Sequence, residues 1–114
     1  MDKVTGYRRI IQNVLEEYAE RMSRGNQVRI LAVCDTTHDQ YLLISLGWSN
    51  KRREHAIVFH AQIRQGQIII EDDGTEEGIG NLLVEEGVAD TDIRLAWASA
   101  AQAPQVEDEM SLVA

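Results

Sequence analysis

A single cysteine, Cys34, leaves this chain of 114 residues without the means to form an internal disulfide or a thiolate zinc site. The thiol falls inside the apolar run VRILAVC, where a small buried hydrophobe is its expected role, and such sparse use of cysteine agrees with a reducing compartment. No apolar stretch approaches the roughly 20 residues that span a bilayer. The charged start, MDKVTGYRRIIQNVLEEYAE, has no uninterrupted apolar segment of the kind a secretory leader carries, so a cytoplasmic protein without membrane contact is expected. Positive charge is also short, with 11 Lys and Arg against 19 Asp and Glu and a net charge of −8. A protein that holds nucleic acid by itself normally turns a cationic face to the phosphates. Autonomous binding is therefore disfavoured, and any contact with nucleic acid is expected through a partner. The local exceptions, Tyr7-Arg8-Arg9 and Lys51-Arg52-Arg53 beside Glu54, read first as solvated segments. Net acidity of this size equally suits a basic partner protein.

Catalytic signatures are missing too. The sequence holds no H-E-x-x-H, G-x-S-x-G, Walker loop or dinucleotide fingerprint, and the glycines of GTEEGIG follow an acidic turn that would repel phosphate. His55 and His60, five apart in one strand, are expected on opposite faces, while His38 falls in a loop. Asp72, Asp73, Glu76 and Glu77 could offer oxygens to a hard cation, but the spacing of an EF-hand is not met. A metal-dependent hydrolase built on Asp72, Asp73 and Glu76 is the enzymatic alternative. The simpler reading is a turn at Asp73-Gly74-Thr75, followed by Glu76 and Glu77 beside the positive end of a helix. No catalytic residue, metal or cofactor is expected.

What is present is a clear succession of elements. Tyr7, Ile10, Ile11, Val14, Leu15, Tyr18 and Met22 follow the spacing of one helical face, so a helix is predicted over about residues 4–23. Asp2 or Thr5 would cap it, Arg21 and Arg24 suit its last turn, and Gly25 can end it. The period then changes to two. VRILAVC, YLLISLGW, EHAIVFHAQIR and QIIIE read as four strands of an antiparallel meander, joined by DTTHDQ, SNKRR and the tight turn at Gln65-Gly66. In the second strand Leu42, Ile44, Leu46 and Trp48 share one face; in the third, Ile57, Phe59, Ala61 and Ile63 do. A second helix is predicted over about residues 76–86, capped by Asp73 or Thr75, with Ile79, Leu82 and Leu83 inward and Gly78 and Gly80 weakening its first turn. Ile93, Leu95 and Trp97 alternate as a candidate fifth strand. The expected fold is α+β: a long N-terminal helix packed on a four- to five-stranded, mainly antiparallel meander, with a short second helix near the C-terminus. Residues 1–97 form the expected single domain, and 98–114 an acidic, flexible tail.

The order MDKVTGYRRIIQNVLEEYA, YLLISLGW, QIIIEDDGTEEGIGNLLVEEGVADTDIRLAW resembles the XisI family of fdxN element excision controlling factors, over about residues 1–97. The most specific block is Asp73, Gly74, Thr75, Glu76, Gly78 and Ile79, followed by Leu82, Leu83, Gly87, Val88, Asp92 and Ile93. Gly80 stands where the family more often has alanine, and Trp97 where a phenylalanine-like residue is usual. The resemblance implies an accessory protein without chemistry of its own, which works with an XisH-like, nuclease-fold partner to control removal of a DNA element by a separate recombinase. Trp48 with Lys51, Arg52 and Arg53 is the candidate partner contact, although the parity Trp48 shares with Leu42, Ile44 and Leu46 also fits a core residue. The alternative function is direct, excisionase-like DNA binding through Arg8, Arg9 and Lys51 to Arg53. An edge strand of the meander would also permit a homo-oligomer by strand pairing.

Overall fold

The computed structural model describes residues 2–98, so all of the expected tail after Ala98 lies outside the described residues. Helix α1, Lys3–Ser23, buries Tyr7, Ile11, Val14, Leu15, Tyr18 and Ala19 along one stripe. It is this stripe, packed on a sheet, that stabilises so long a helix. Of the two candidate caps Asp2 is the one used: its carboxylate accepts the Thr5 amide at 2.8 Å. Arg24 pairs with Glu20 one turn back, and Gly25, at φ +67, turns the chain away.

Strands β1 (Val28–Asp35), β2 (Gln40–Ser49), β3 (Arg52–Arg64) and β4 (Gln67–Asp73) pair antiparallel in chain order. Both tight hairpins turn on two residues of positive φ, Asn50-Lys51 and Gln65-Gly66, the backbone hand that matches the twist of paired strands. After β4 come helix α2 (Ile79–Glu85), a 3-10 turn at Asp90–Asp92 and the short β5 (Ile93–Leu95). Because that crossover returns the chain to its starting end, β5 joins β4 in parallel and completes a five-stranded mixed sheet. β5 stops before Trp97, since the Ala98 amide donates back to Leu95 and folds Trp97 into a turn.

Two expectations about the faces of the sheet are corrected. Leu43 lies opposite Phe59 but Ile44 opposite Ile57, which leaves Val58 as an unopposed bulge. A bulge adds one residue and so reverses the parity of what precedes it. Phe59, Ala61 and Ile63 are buried, while Ile57 points to the other face and is 51% exposed. For the same reason His55 and His60 share one face, opposite Leu46 and Leu42, rather than lying on two. In β2 the buried set is Tyr41, Leu43 and Ser45, so Leu42, Ile44, Leu46 and Trp48 face outward. This strand is apolar on both sides, so alternation alone does not choose between them.

The core gathers the α1 stripe, the inner faces of β2 to β4, and Ile79, Leu83 and Val88 from the C-terminal part. Both helices lie on that one side of the sheet, and no described helix covers the other. None of the described helices is long and apolar enough to cross a membrane.

Candidate interaction surface

β2 and β3 run beyond their neighbours. β1 reaches back only to Gly47, and β4 pairs only with residues from Phe59 onward. The hairpin tip therefore stands out as two strands. Trp48 lies there opposite Arg53, 58% exposed, with the Arg53 guanidinium 5.9 Å from its ring centre and Arg53 Nη1 donating to the Gly47 carbonyl at 3.0 Å. The cation stacks on the ring, which is otherwise largely open to solvent. Lys51 and Arg52 are exposed beside it. Lys51 also has φ +68 at the second central position of the turn, where glycine is the usual occupant. Keeping a lysine there costs about 1 kcal/mol of backbone strain.

The opening of α2 is built differently from the expected cap. The helix starts at Ile79, not at residue 76, because Glu77 is drawn away to α1, where Arg21 Nη1 donates to its carboxylate at 2.6 Å. Asp73 accepts the Thr75 amide and hydroxyl on Oδ1, at 3.0 and 2.6 Å, and the Ile79 amide on Oδ2 at 2.8 Å. Thr75 Oγ1 then accepts from Gly78 N at 3.1 Å. One carboxylate thus closes a loop and the first amide of a helix together. Gly78, at φ +79, supplies the conformation that brings Ile79 back to it, and a Cβ there would stand 3.0 Å from Asn81 Nδ2. The Gly74 amide donates to the Val58 carbonyl at 2.7 Å, fixing the turn to the bulge, while Glu76 is exposed to solvent. An open cleft of about 480 Å³ lies beside this turn, bordered by Ile70, Thr75, Val84, Leu95 and Trp97.

The remaining candidates do not converge. Asp72 and Asp73, as neighbours in a strand, point to opposite faces. His60 bonds Gln40 at 2.8 Å, and His38 bonds Asp35 at 2.8 Å. Among the described residues no three His, Cys, Asp or Glu side chains form a metal-holding group. Burial pushes the Cys34 thiol up to about 11, with Glu16 adding to the shift, so it is a thiol rather than a nucleophilic thiolate at neutral pH. Arg8 is committed as well: it forms a two-pronged bridge to Asp39, Nε to Oδ1 at 2.8 Å and Nη2 to Oδ2 at 2.9 Å. Tyr41 donates to the same Oδ1 at 2.8 Å, and the Arg8 bridge holds the Asp39 carboxyl below its usual range. Sequence reasoning missed this bridge. Its one visible sign was an aspartate immediately before an apolar strand.

A sequence model of the family described as XisI protein matches residues 1–107, past residue 97, where the resemblance read from the sequence ends. Among solved structures, the fdxN element excision controlling factor XisI of Anabaena variabilis ATCC 29413 is 33% identical, with a TM-score of 0.70 over 89% of this chain and 98% of its own. A XisI-like protein of the same organism is 25% identical, with a TM-score of 0.75 over 89% of this chain and 92% of its own. No curated protein matches the chain.

Proposed function

The chain belongs to the XisI family, and from that premise we propose that it is a non-enzymatic accessory protein that binds an XisH-like, nuclease-fold partner and controls excision of a DNA element by a recombinase. The solved relative described as an excision controlling factor supports the process. The observation that carries the binding reading is Trp48, exposed on a projecting hairpin, stacked by Arg53 and flanked by Lys51 and Arg52. An exposed aromatic beside arginine is the composition of an interface hot spot, and rigid strands hold it ready. A nuclease-fold partner handles phosphates with cations. Exposed Glu16, Glu17 and Glu20 on α1, and Glu85 and Glu86 at the end of α2, add a long-range attraction that speeds encounter with such a surface.

Direct DNA binding is the weaker reading because its cations are divided. Arg8 is bridged to Asp39 at the far end of β2, about 30 Å along the strand from the tip at roughly 3.3 Å per residue. Arg8 and the tip cations therefore do not form one compact patch for a phosphate backbone among the described residues.

The test is co-elution of the chain with its XisH-like partner at micromolar concentration. A single complex is expected, weakened roughly tenfold or more in Kd by Trp48→Ala. Separate peaks from two folded proteins would overturn the reading. Retention of DNA by the chain alone, falling steeply with salt, would restore the alternative.

A further inference from the structure

The side of the sheet away from the helices is apolar over β1, β2 and Ile57, and is bordered by the polar Gln40, His55, His60 and Gln62. Leu31, Val33, Leu42, Ile44, Leu46 and Ile57 share it, drawn from three adjacent strands, with Val33 43% and Ile57 51% exposed. Sheets of this kind that face water carry polar residues on that side. In β1 and β2 the alternation is apolar on both.

We propose that this face is the seat of a second copy of the chain, two sheets meeting outer face to outer face about a twofold axis that lies between them and across the strands. Three features select that occupant. The first is size. Strands of about eight residues, at roughly 3.3 Å per residue and about 4.8 Å apart, give a five-stranded face near 500 Å² in projection. Each partner of a stable pair buries roughly 800 Å², so the whole face, polar border included, is what a second copy would cover.

The second feature is charge. The outer face of edge strand β1 begins with Arg29 and ends with Asp35, on either side of Leu31 and Val33. A twofold axis across the strand near Ala32 sets Arg29 of each copy over Asp35 of the other and Leu31 over Val33. An axis along the strand would set like over like. Arg29 is exposed, and the Asp35 carboxylate, although it accepts the Thr37 and His38 amides on Oδ1 and meets the His38 ring on Oδ2, is 45% exposed and keeps its negative charge toward the partner copy.

The third is exclusion. In a chain of net charge −8, two copies repel wherever their acids meet, and the exposed glutamates of α1 and α2 lie on the helix side. The outer face is where copies can approach without bringing those acids together. In this arrangement the Trp48 hairpins project from opposite ends of the pair, and the acidic helix layers remain outside on both sides. The pair goes beyond the partner reading and does not depend on it.

Analytical ultracentrifugation of the full chain alone, at micromolar concentration, tests the proposal. A species of twice the 12.9 kDa chain mass is expected. Val33→Glu and Ile57→Glu, both at sites exposed in one copy, should leave the circular dichroism spectrum and the melting of the separated chain nearly unchanged and weaken self-association roughly thirtyfold or more. Arg29→Glu should weaken it less, with a smaller dependence on salt than the wild type shows. A wild-type chain of single mass would overturn the proposal. So would a dimer that survives both glutamate substitutions, because neither removes a backbone donor and pairing through a strand edge would persist. Loss of the dimer with co-elution intact, or the reverse, separates this proposal from the partner reading.

Discussion

Asp39 carries three hydrogen bonds on a left-handed backbone, at φ +52, and its side chain is 17% exposed. Its folded pKa is lowered, first by the Arg8 bridge and also by the Tyr41 hydroxyl, while burial works the other way. A carboxyl with a depressed folded pKa contributes stability that is present above its unfolded value, near 4. That contribution is lost as pH falls through the folded value. Asp39→Asn keeps a residue type that tolerates the left-handed region. At neutral pH it should cost about 1 kcal/mol once solvent screening of the partly exposed Arg8 is counted. Below about pH 4 the two proteins should converge in urea melts, and a gap that stayed constant with pH would remove the bridge from the explanation. Lys51 makes the opposite case. Lys51→Gly relieves the strained turn and should raise stability by about 1 kcal/mol while weakening the partner complex, a trade visible by pairing thermal melts with co-elution.

At the scale of elements, the two faces of β3 set up a direct comparison. Phe59→Ala should cost about 3 to 5 kcal/mol, because its side chain is fully buried, whereas Ile57→Ala in the separated chain should cost under about 1. Equal costs in denaturant unfolding would mean the bulge at Val58 does not divide the strand. That bulge marks where the sequence stops being legible. Helix α1 and the first four strands follow directly from the spacing of Ile11, Leu15, Tyr18 and their like, and from turns that need positive φ at Gly66. A β-bulge leaves no mark in an alternating pattern, so Ile57 and His55 change sides without warning. β2 is hydrophobic at Tyr41 and Leu43 and again at Leu42 and Ile44, so only pairing with Phe59 and Ala61 decides which set meets α1. The hairpin tip was identifiable from Trp48 beside three cations. Its exposure was not, because that depends on β1 and β4 ending short of it. The start of α2 moved for a similar reason: the bridge from Arg21 to Glu77 spans two distant segments, and spacing within either segment does not disclose it.

The molecule as a whole is layered by character: acidic helices, a closed apolar core, then a sheet whose far side is apolar over β1 and β2 and ends in a cationic hairpin. Rising salt should therefore slow encounter with a basic partner by screening the helix layer, and leave largely intact any association made through apolar groups on the sheet. The carboxylate of Asp73 ties these layers together, since it belongs to the last residue of β4 and holds the first amide of α2. Solvent deuterium gives that bond a measurable meaning. The Ile79 amide should exchange as slowly as the amides of β4 and in step with them, because the strand end and the helix start open as one unit. In Asp73→Ala the helix amides should speed up while those of β1 and β2 keep their protection, so that a single substitution divides one cooperative body into two.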